Sequence, residues 1–343
     1  MSRKLLRKSV PGIVDVARQA KVSPATVSRF FNQPDIVSYD ARKRIEAAVQ
    51  ALGYVPNATA RSLNRGATGT IGLIVPTLDN AIFAELTQAF STALSRNVRT
   101  MLMAAHGYDL AREAVLVESL IEHRVDALAL VGIKHEDATF ELVNRRGVPA
   151  ILVWNFRQRQ LLPCVGVDNR EVGRLATEHL LDLGHRDILF LFAEPRMNDR
   201  AADRRMGALT AMSERGVKVP AERRIVCPYD VDAAKAIAVE ALKARNRPTA
   251  IFSGNDVIAL GVLFAAISLN IKIPQELSII GIGDFRGSAA VEPGLTTVRI
   301  PSRRIGQRAA EILVEMIEWP SSNALYEERF DAELVERGST GPV

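Results

Sequence analysis

GIVDVARQAKVSPATVSRFFN, Gly12 to Asn32, is the stretch that decides how the rest of the chain is read. Ile13, Val16, Ala17 and Ala20 fall at i, i+3, i+4 and i+7, one apolar face of a short helix. Ser23 then stands as an N-cap, with Pro24 at the first helical position, where a missing N–H costs nothing. A second helix therefore begins there. Val27, Phe30 and Phe31 face inward, which leaves Pro24, Ala25, Ser28 and Arg29 on the outer face. A helix of this width fits the major groove of B-DNA. Arg29 is placed to pair bidentately with a guanine edge, and Ala25 to offer a methyl group to thymine.

A third helix is expected behind these two, with Ser38 as N-cap, Ile45, Ala48, Val49 and Leu52 on one face, and Gly53 as its stop. Three short helices make a minimal self-packing unit. Residues 1–66 hold twelve Lys and Arg against four Asp and Glu, a surplus of eight, whereas the whole chain carries +5. Residues 67–343 are thus net −3, and the basicity belongs to the head alone. A phosphate-binding module on a nearly neutral body shows this asymmetry.

With 343 residues and 48% hydrophobic content, the chain can build a small head and a body of one large or two medium domains. Cys164 and Cys227 lack metal-ligand neighbours, so reduced thiols in a cytoplasmic protein are expected. MSRKLLRKSVPG at the N-terminus has no apolar core of secretory type, and no run approaches 18 apolar residues, so no membrane association is expected.

Between head and body, Asn57 follows Pro56 as a good N-cap, and Ala58 to Asn64 gives two turns of helix before Gly66. Two isolated turns do not hold in water, so this segment is either a frayed linker or a helix that forms when something packs on it. Leu63, between Arg61 and Arg65, is an apolar wedge of the kind that enters a minor groove and kinks the duplex.

From Thr70 onward, apolar runs of four to six residues alternate with helical stretches, the mark of parallel strands buried on both faces. Strands are expected near Ile71–Val75, Thr100–Ala104, Ala127–Val131, Ala150–Val153, Val165–Val167, Ile188–Phe192, Ala250–Ser253 and Ile279–Gly281. The architecture is therefore an all-α helix-turn-helix head plus an α/β body of two doubly wound parallel-sheet subdomains with a ligand cleft between them. The division runs 1–56 for the head, 57–69 for the hinge and linker, and 70–343 for the body. Within the body, 70–166 plus 296–325 form one subdomain, and 167–295 plus 326–343 the other. Ligands of open α/β sheets sit beyond the carboxyl ends of the strands. That rule selects Asp79, Asn80, Ile82, Phe83, Trp154, Asn155, Asp168, Arg204, Asn255, Asp256 and Asp284, with Asp79, Asp168 and Asp256 equally suited to capping helices.

The chain has no phosphate-binding loop, zinc-protease, nucleophile-elbow or Cys-x-x-Cys motif, and its five histidines are scattered. No catalytic constellation, metal site or cofactor site is read from it.

DVARQAKVSPATVSRFFN, LGYVPNATARSL, TIGLIVPTLDN, HLLDLGHRDILF, SGNDVIALG, IPQELSIIGIGD, LTTVRIP and RGSTGP, in that order, resemble the lactose-repressor (LacI) family of bacterial transcription regulators from end to end. The resemblance implies a homodimer that reads a pseudo-palindromic operator in double-stranded DNA, and a periplasmic-binding-protein-like body that binds a small effector. It places DNA contacts at Pro24, Ala25, Thr26, Ser28, Arg29 and Asn32 in the head and at Asn57, Ala60, Arg61 and Leu63 in the hinge. Effector contacts fall at Asn80, Ile82, Phe83, Trp154, Arg204, Asn255, Gly283 and Asp284. Three positions depart from the family pattern: Lys21 replaces a turn glycine, Ala81-Ile82 replaces Pro-Phe, and Gly283 replaces an aspartate that grips sugar hydroxyls. Without that carboxylate an anionic ligand is repelled less, and Arg204 is a natural partner for it, so a sugar acid is the expected effector. GYVPN, Trp154 and the G-x-G-D turn resemble the gluconate-repressor subgroup in particular. No leucine heptads follow RGSTGP, which favours a dimer over a coiled-coil tetramer. The rival readings are a binding protein or enzyme on the same body, an architectural DNA-bending protein, and a corepressor-dependent regulator of a non-sugar pathway.

Overall fold

The computed structural model describes residues 11–55, 67–320 and 326–343. The expected hinge contacts Asn57, Ala60, Arg61 and Leu63 lie outside these residues. The chain divides into two units, Met1–Thr68 and Gly69–Val343.

The head is built from α1 (Ile13–Ala20), α2 (Pro24–Asn32) and α3 (Tyr39–Leu52). Asp15 accepts from the Gly12 N–H at 2.9 Å, and the Ser23 hydroxyl accepts from the Thr26 N–H at 3.1 Å, so each of the first two helices starts on a satisfied donor. Ser38 occupies the N-cap of α3 but makes no side-chain cap bond. Lys21 closes α1 in the left-handed region, at φ 53°, where its Cβ is strained. Val16, Ala17, Ala20, Val27, Val37, Ala41, Ile45 and Ala48 form the buried core, with Phe30, Phe31 and Tyr54 packed against it.

In the body, the first sheet is all parallel, in the order β11-β5-β4-β3-β1-β2. Its strands are β1 (Thr70–Val75), β2 (Thr100–Ala105), β3 (Ala127–Val131), β4 (Ala150–Asn155), β5 (Cys164–Val167) and β11 (Glu327–Phe330). The second sheet runs β12-β10-β9-β8-β6-β7, with only β12 antiparallel. It comprises β6 (Ile188–Phe192), β7 (Arg224–Val226), β8 (Ala250–Ser253), β9 (Ser278–Gly283), β10 (Thr296–Arg299) and β12 (Glu333–Val335). The central strands β3, β4, β6 and β8 are buried along their whole length, as expected for strands covered by helices on both faces.

Eight helices follow in chain order: α4 (Ala81–Arg96), α5 (Leu110–Glu122), α6 (Asp137–Arg146), α7 (Asn169–Asp182), α8 (Asp199–Glu214), α9 (Val231–Lys243), α10 (Asp256–Ser268) and α11 (Ser302–Glu318). The backbone passes from the first sheet to the second after β5, returns before α11, which packs on α4, and passes over again between β11 and β12. Two boundaries therefore differ from the sequence reading. Thr296–Arg299 pairs with β9 in the second sheet rather than belonging to the first, and Glu327–Phe330 extends the first sheet rather than the second. Neither short strand carries the apolar run by which the long strands are recognised.

Helices α7 and α8 cross so closely that a Cβ on Gly173 would strike the Arg204 carbonyl, and one on Gly207 the Arg170 carbonyl. This crossing sets Arg204 against Gly254, just past the carboxyl end of β8.

Candidate functional site

On the head, the second helix presents Pro24, Ala25 and Arg29 to solvent, while Thr26, Ser28 and Asn32 are half-buried. Ser23 and Thr26 share a hydroxyl–hydroxyl bond of 2.8 Å, and Asn32 Nδ2 donates to Ser28 Oγ at 3.4 Å. The proline start, the serine cap and the inward Val27 together fix which side of α2 faces out, so an exposed face of two small apolar residues and one guanidinium results.

In the body, the expected ligand residues gather where strand ends of the two sheets face each other. Asn80 caps α4 by accepting from the Ile82 N–H at 3.3 Å, which buries Ile82 and Phe83 at the first turn. Phe83 meets the fully buried Trp154 edge-on, with ring centroids 5.3 Å apart. Trp154, the penultimate residue of β4, has φ 86°, and its indole N–H finds no acceptor among the described residues. From the other sheet, Asn255 caps α10 through Oδ1, 3.0 Å from the Ile258 N–H, while its Nδ2 finds no partner among the described residues.

Arg204, 2% exposed, donates through Nε to Asn169 Oδ1 at 2.8 Å and through Nη1 to the Gly254 carbonyl at 2.9 Å. Both acceptors are neutral, and no carboxylate among the described residues lies within ion-pair distance of it. Burial pulls its pKa below the ordinary arginine range. Asp256, also fully buried, accepts from Thr297 Oγ1 at 2.6 Å, Ser288 Oγ at 2.7 Å and the Phe285 N–H at 3.1 Å. Burial nonetheless raises its pKa, because the loss of water outweighs those three donors.

Two expected contacts have other duties. The Asp284 carboxylate is taken by Arg299 Nε at 2.7 Å and Arg337 Nη2 at 2.6 Å, which ties the turn after β9 to β10 and the C-terminal segment. Gly283, at φ 131°, has the Phe285 ring where a side chain would stand. With Ile82, Ser302 and Arg303 it lines a cavity of about 300 Å³ beside the second crossover. Of the three candidate caps, Asp168 does cap α7, at 2.8 Å from the Arg170 N–H. Asp256 is instead the hydrogen-bonded hub just described, and Asp79 leaves the capping of α4 to Asn80.

Asn155 apart, the sequence reading missed the residues that join the subdomains. Asp199 Oδ2 accepts from the Ile133 N–H at 2.6 Å, and Arg200 Nη1 donates to the Val131 carbonyl at 3.2 Å. Burial alone would raise the Asp199 pKa, but Arg200, the Ile133 N–H and Asn155 hold it below the usual carboxylate value. Asn155 and Arg157 reach Asp203 at 3.0 Å each. Tyr108, after β2, lies 6.1 Å from the Tyr229 ring, after β7, and Asn198 Nδ2 donates to the Tyr229 hydroxyl at 3.1 Å. The rule that selects residues past strand ends would have found Tyr108 had it been applied to β2. Tyr229 follows a three-residue edge strand too short to see.

An exposed reading helix on a basic head, and a buried cation with aromatic walls in a two-sheet body, define a ligand-responsive DNA-binding regulator. Residues 12–57 match the bacterial regulatory proteins of the lacI family, and residues 177–340 match the periplasmic binding protein-like domain. The HTH-type transcriptional repressor PurR of Escherichia fergusonii is 30% identical over 308 residues, 89% of this chain and 90% of that protein. Transcription regulator GntR from Chromobacterium violaceum has a solved structure with TM-score 0.74 and 27% identity, covering 79% of this chain and 99% of that one. A LacI-family regulator from Silicibacter pomeroyi superposes with TM-score 0.89 at 23% identity, over 96% of this chain and 99% of that one, and so shares the fold. The chain belongs to the lacI family of bacterial transcription regulators. It is a DNA-binding regulator with an effector-binding body, not an enzyme.

Proposed function

We propose that the protein represses a sugar-acid catabolic operon and that a carboxylate-bearing polyol is its effector. The observation that carries this reading is Arg204, a buried cation bonded, among the described residues, to neutral carbonyl oxygens alone. Leaving such a charge uncompensated costs several kcal/mol, and a ligand carboxylate supplies the counter-charge bidentately. Nearby, Trp154 Nε1 and Asn255 Nδ2 are both donors, which suits hydroxyl or carboxylate oxygens, and the Phe83 and Trp154 rings suit a sugar's C–H face. GYVPN, Trp154 and the G-x-G-D turn support the gluconate-repressor subgroup, as does the likeness to GntR.

In this reading, effector binding changes how Asn57–Asn64 engages DNA, Leu63 enters the central minor-groove step, and the two ligands couple reciprocally. A homodimer places two α2 helices on the half-sites. Apolar side chains exposed on the edge strand β2 (Leu102, Met103) and on α10 (Phe264, Ile267) are the surfaces that pairing would cover.

A thermal-shift screen of the purified protein against D-gluconate, D-galacturonate, neutral sugars and purines tests the effector class. A sugar acid at 100 times its Kd should add about 2.7 kcal/mol. Arg204→Met should weaken that binding by about 100-fold. The likeness to PurR favours a second reading, a non-sugar corepressor. A response to purines alone would support that reading and overturn the sugar acid, and a response to neutral sugars alone would overturn both.

A further inference from the structure

Behind the turn that receives α8 lies a buried chain of three titratable side chains. Glu113 on α5 and His135, between β3 and α6, each have side chains 1% exposed, with His135 Nδ1 2.7 Å from Glu113 Oε2. His135 Nε2 lies 3.2 Å from the Gly132 carbonyl, which can only accept, so Nε2 carries a proton and donates. One further proton must then sit between Nδ1 and Oε2, on either atom, because two acceptors at that distance repel. The Gly132 held this way begins the turn whose Ile133 N–H donates to Asp199 and whose preceding Val131 carbonyl accepts from Arg200. A side chain on Gly132 would strike both Asp199 and Arg200, so the turn and α8 fit backbone to side chain.

We propose that Glu113 and His135 are positioning residues for the cleft. The proton they share keeps the Gly132–Ile133 turn in the shape that receives Asp199 and Arg200, so the subdomains close while it is bound and part when it is lost. The titratable and charged groups facing the pair are His106, from the segment after β2, and Asp199 and Arg200, from α8. His106 Nε2 is 3.8 Å from Glu113 Oε1, too far for a hydrogen bond, and neither of its ring nitrogens finds a partner among the described residues. Burial lowers the His106 pKa against the pull of Glu113, and Arg200 and His135 lower it further. At that distance His106 does not take over the bond to Glu113. Losing the shared proton leaves a net negative charge facing Asp199 and one imidazole N–H, which cannot donate to Glu113 and to the Gly132 carbonyl together, so the turn gives up one of its two supports.

The chain has two tryptophans, and Trp319 is 61% exposed, so a Trp319→Phe background leaves the buried Trp154 as the only fluorophore of its kind in the cleft. Acrylamide quenching of Trp154 in the full-length, effector-free protein then reports opening, whatever the effector is. Quenching should rise several-fold as the pH is raised across the range in which the protein stays folded. Glu113→Gln can donate an amide N–H to Nδ1 without sharing a titrating proton, so it should stay protected and show no pH profile. His135→Ala should be quenched at every pH, with its folding checked by circular dichroism. Flat quenching in the parent, or the parent's pH profile surviving in Glu113→Gln, overturns the proposal. So does a folded His135→Ala variant as protected as the parent. Should His135→Ala fail to fold, Glu113→Gln alone decides.

Discussion

Head and body solve the packing problem at different scales. The head closes a core of eight buried side chains within about forty residues, through contacts along and between neighbouring helices. The body builds its cores from strands far apart in sequence: β1 pairs with β3, and β11 returns to β5 after nearly half the chain has intervened. A small core leaves a small margin, about 3–5 kcal/mol for a domain of this size, whereas the body spreads its stability over two covered sheets. The same cavity should therefore have different consequences in the two units. Ile45→Ala, at a fully buried position of α3, costs about 2–5 kcal/mol and should unfold the head while the body melts as before. Leu73→Ala, equally buried in β1, carries a similar cost but should only lower the body's transition. Calorimetry that resolves the two transitions checks this. A head that survives Ile45→Ala would mean it draws stability from outside its own core.

The two units also recognise their ligands differently. The head offers an exposed guanidinium to a base edge, whereas the body buries one for a small molecule. Arg29→Ala should relax preference at one base pair per half-site, by about 1–3 kcal/mol, in binding assays on operator variants. Losses equal at every position would assign Arg29 to the phosphate backbone instead.

Acid should separate the units as well, because residues 1–66 contain no histidine. In the body, His179 Nε2 lies 2.9 Å from Thr340 Oγ1, and His185 Nε2 donates to the Gly341 carbonyl at 3.0 Å, so both hold the C-terminal segment. Burial lowers the pKa of each. The folded protein thus keeps them neutral, while the unfolded chain takes up protons near about pH 6.5. The stability this brings is complete above that pH and is lost as pH falls through the lower folded-state values. Hydrogen-exchange protection factors, which correct for the intrinsic pH dependence of exchange, should fall across Ser339–Val343 on mild acidification, with those in α1 to α3 unaffected.

The two units were unequally legible in the sequence. Helix period, a serine cap and a proline at N1 are local signals, so all three head helices can be read with their inward faces. The long strands of the body are equally plain, since burial on both faces makes them apolar throughout. What escapes is decided by distant partners. TTVR and EERF join the sheets they do only because β9 and β5 offer them an edge, and this is why two subdomain boundaries moved. Within the cleft, capping chemistry points to Asn80 and Asn255, and Arg204 stands out as an arginine at a helix start. Nothing local distinguishes Asp199 or Arg200 from an exposed pair, because their partners are backbone groups of the other subdomain. Asp284 shows the converse: a carboxylate past a strand end looks free until Arg337, 53 residues on, is seen to hold it.

Lys21 is the one place where the head departs from its own local logic, and the effect there is the smallest. Its φ of 53° costs a residue with a Cβ about 1–2 kcal/mol, while glycine returns about 0.5–1 of that through unfolded-state entropy. Lys21→Gly should therefore stabilise the head by about 0.5–1 kcal/mol in its thermal transition. Retaining a strained lysine makes sense if its charge serves binding, and salt titration distinguishes that from neutral drift. A lysine on the phosphate backbone contributes about one unit to the slope of log affinity against log salt, on specific and non-specific duplexes alike. If Lys21→Gly loses that unit, the turn trades stability for phosphate contact. If the slope is unchanged and the head is merely more stable, the strain at Lys21 serves no contact with DNA.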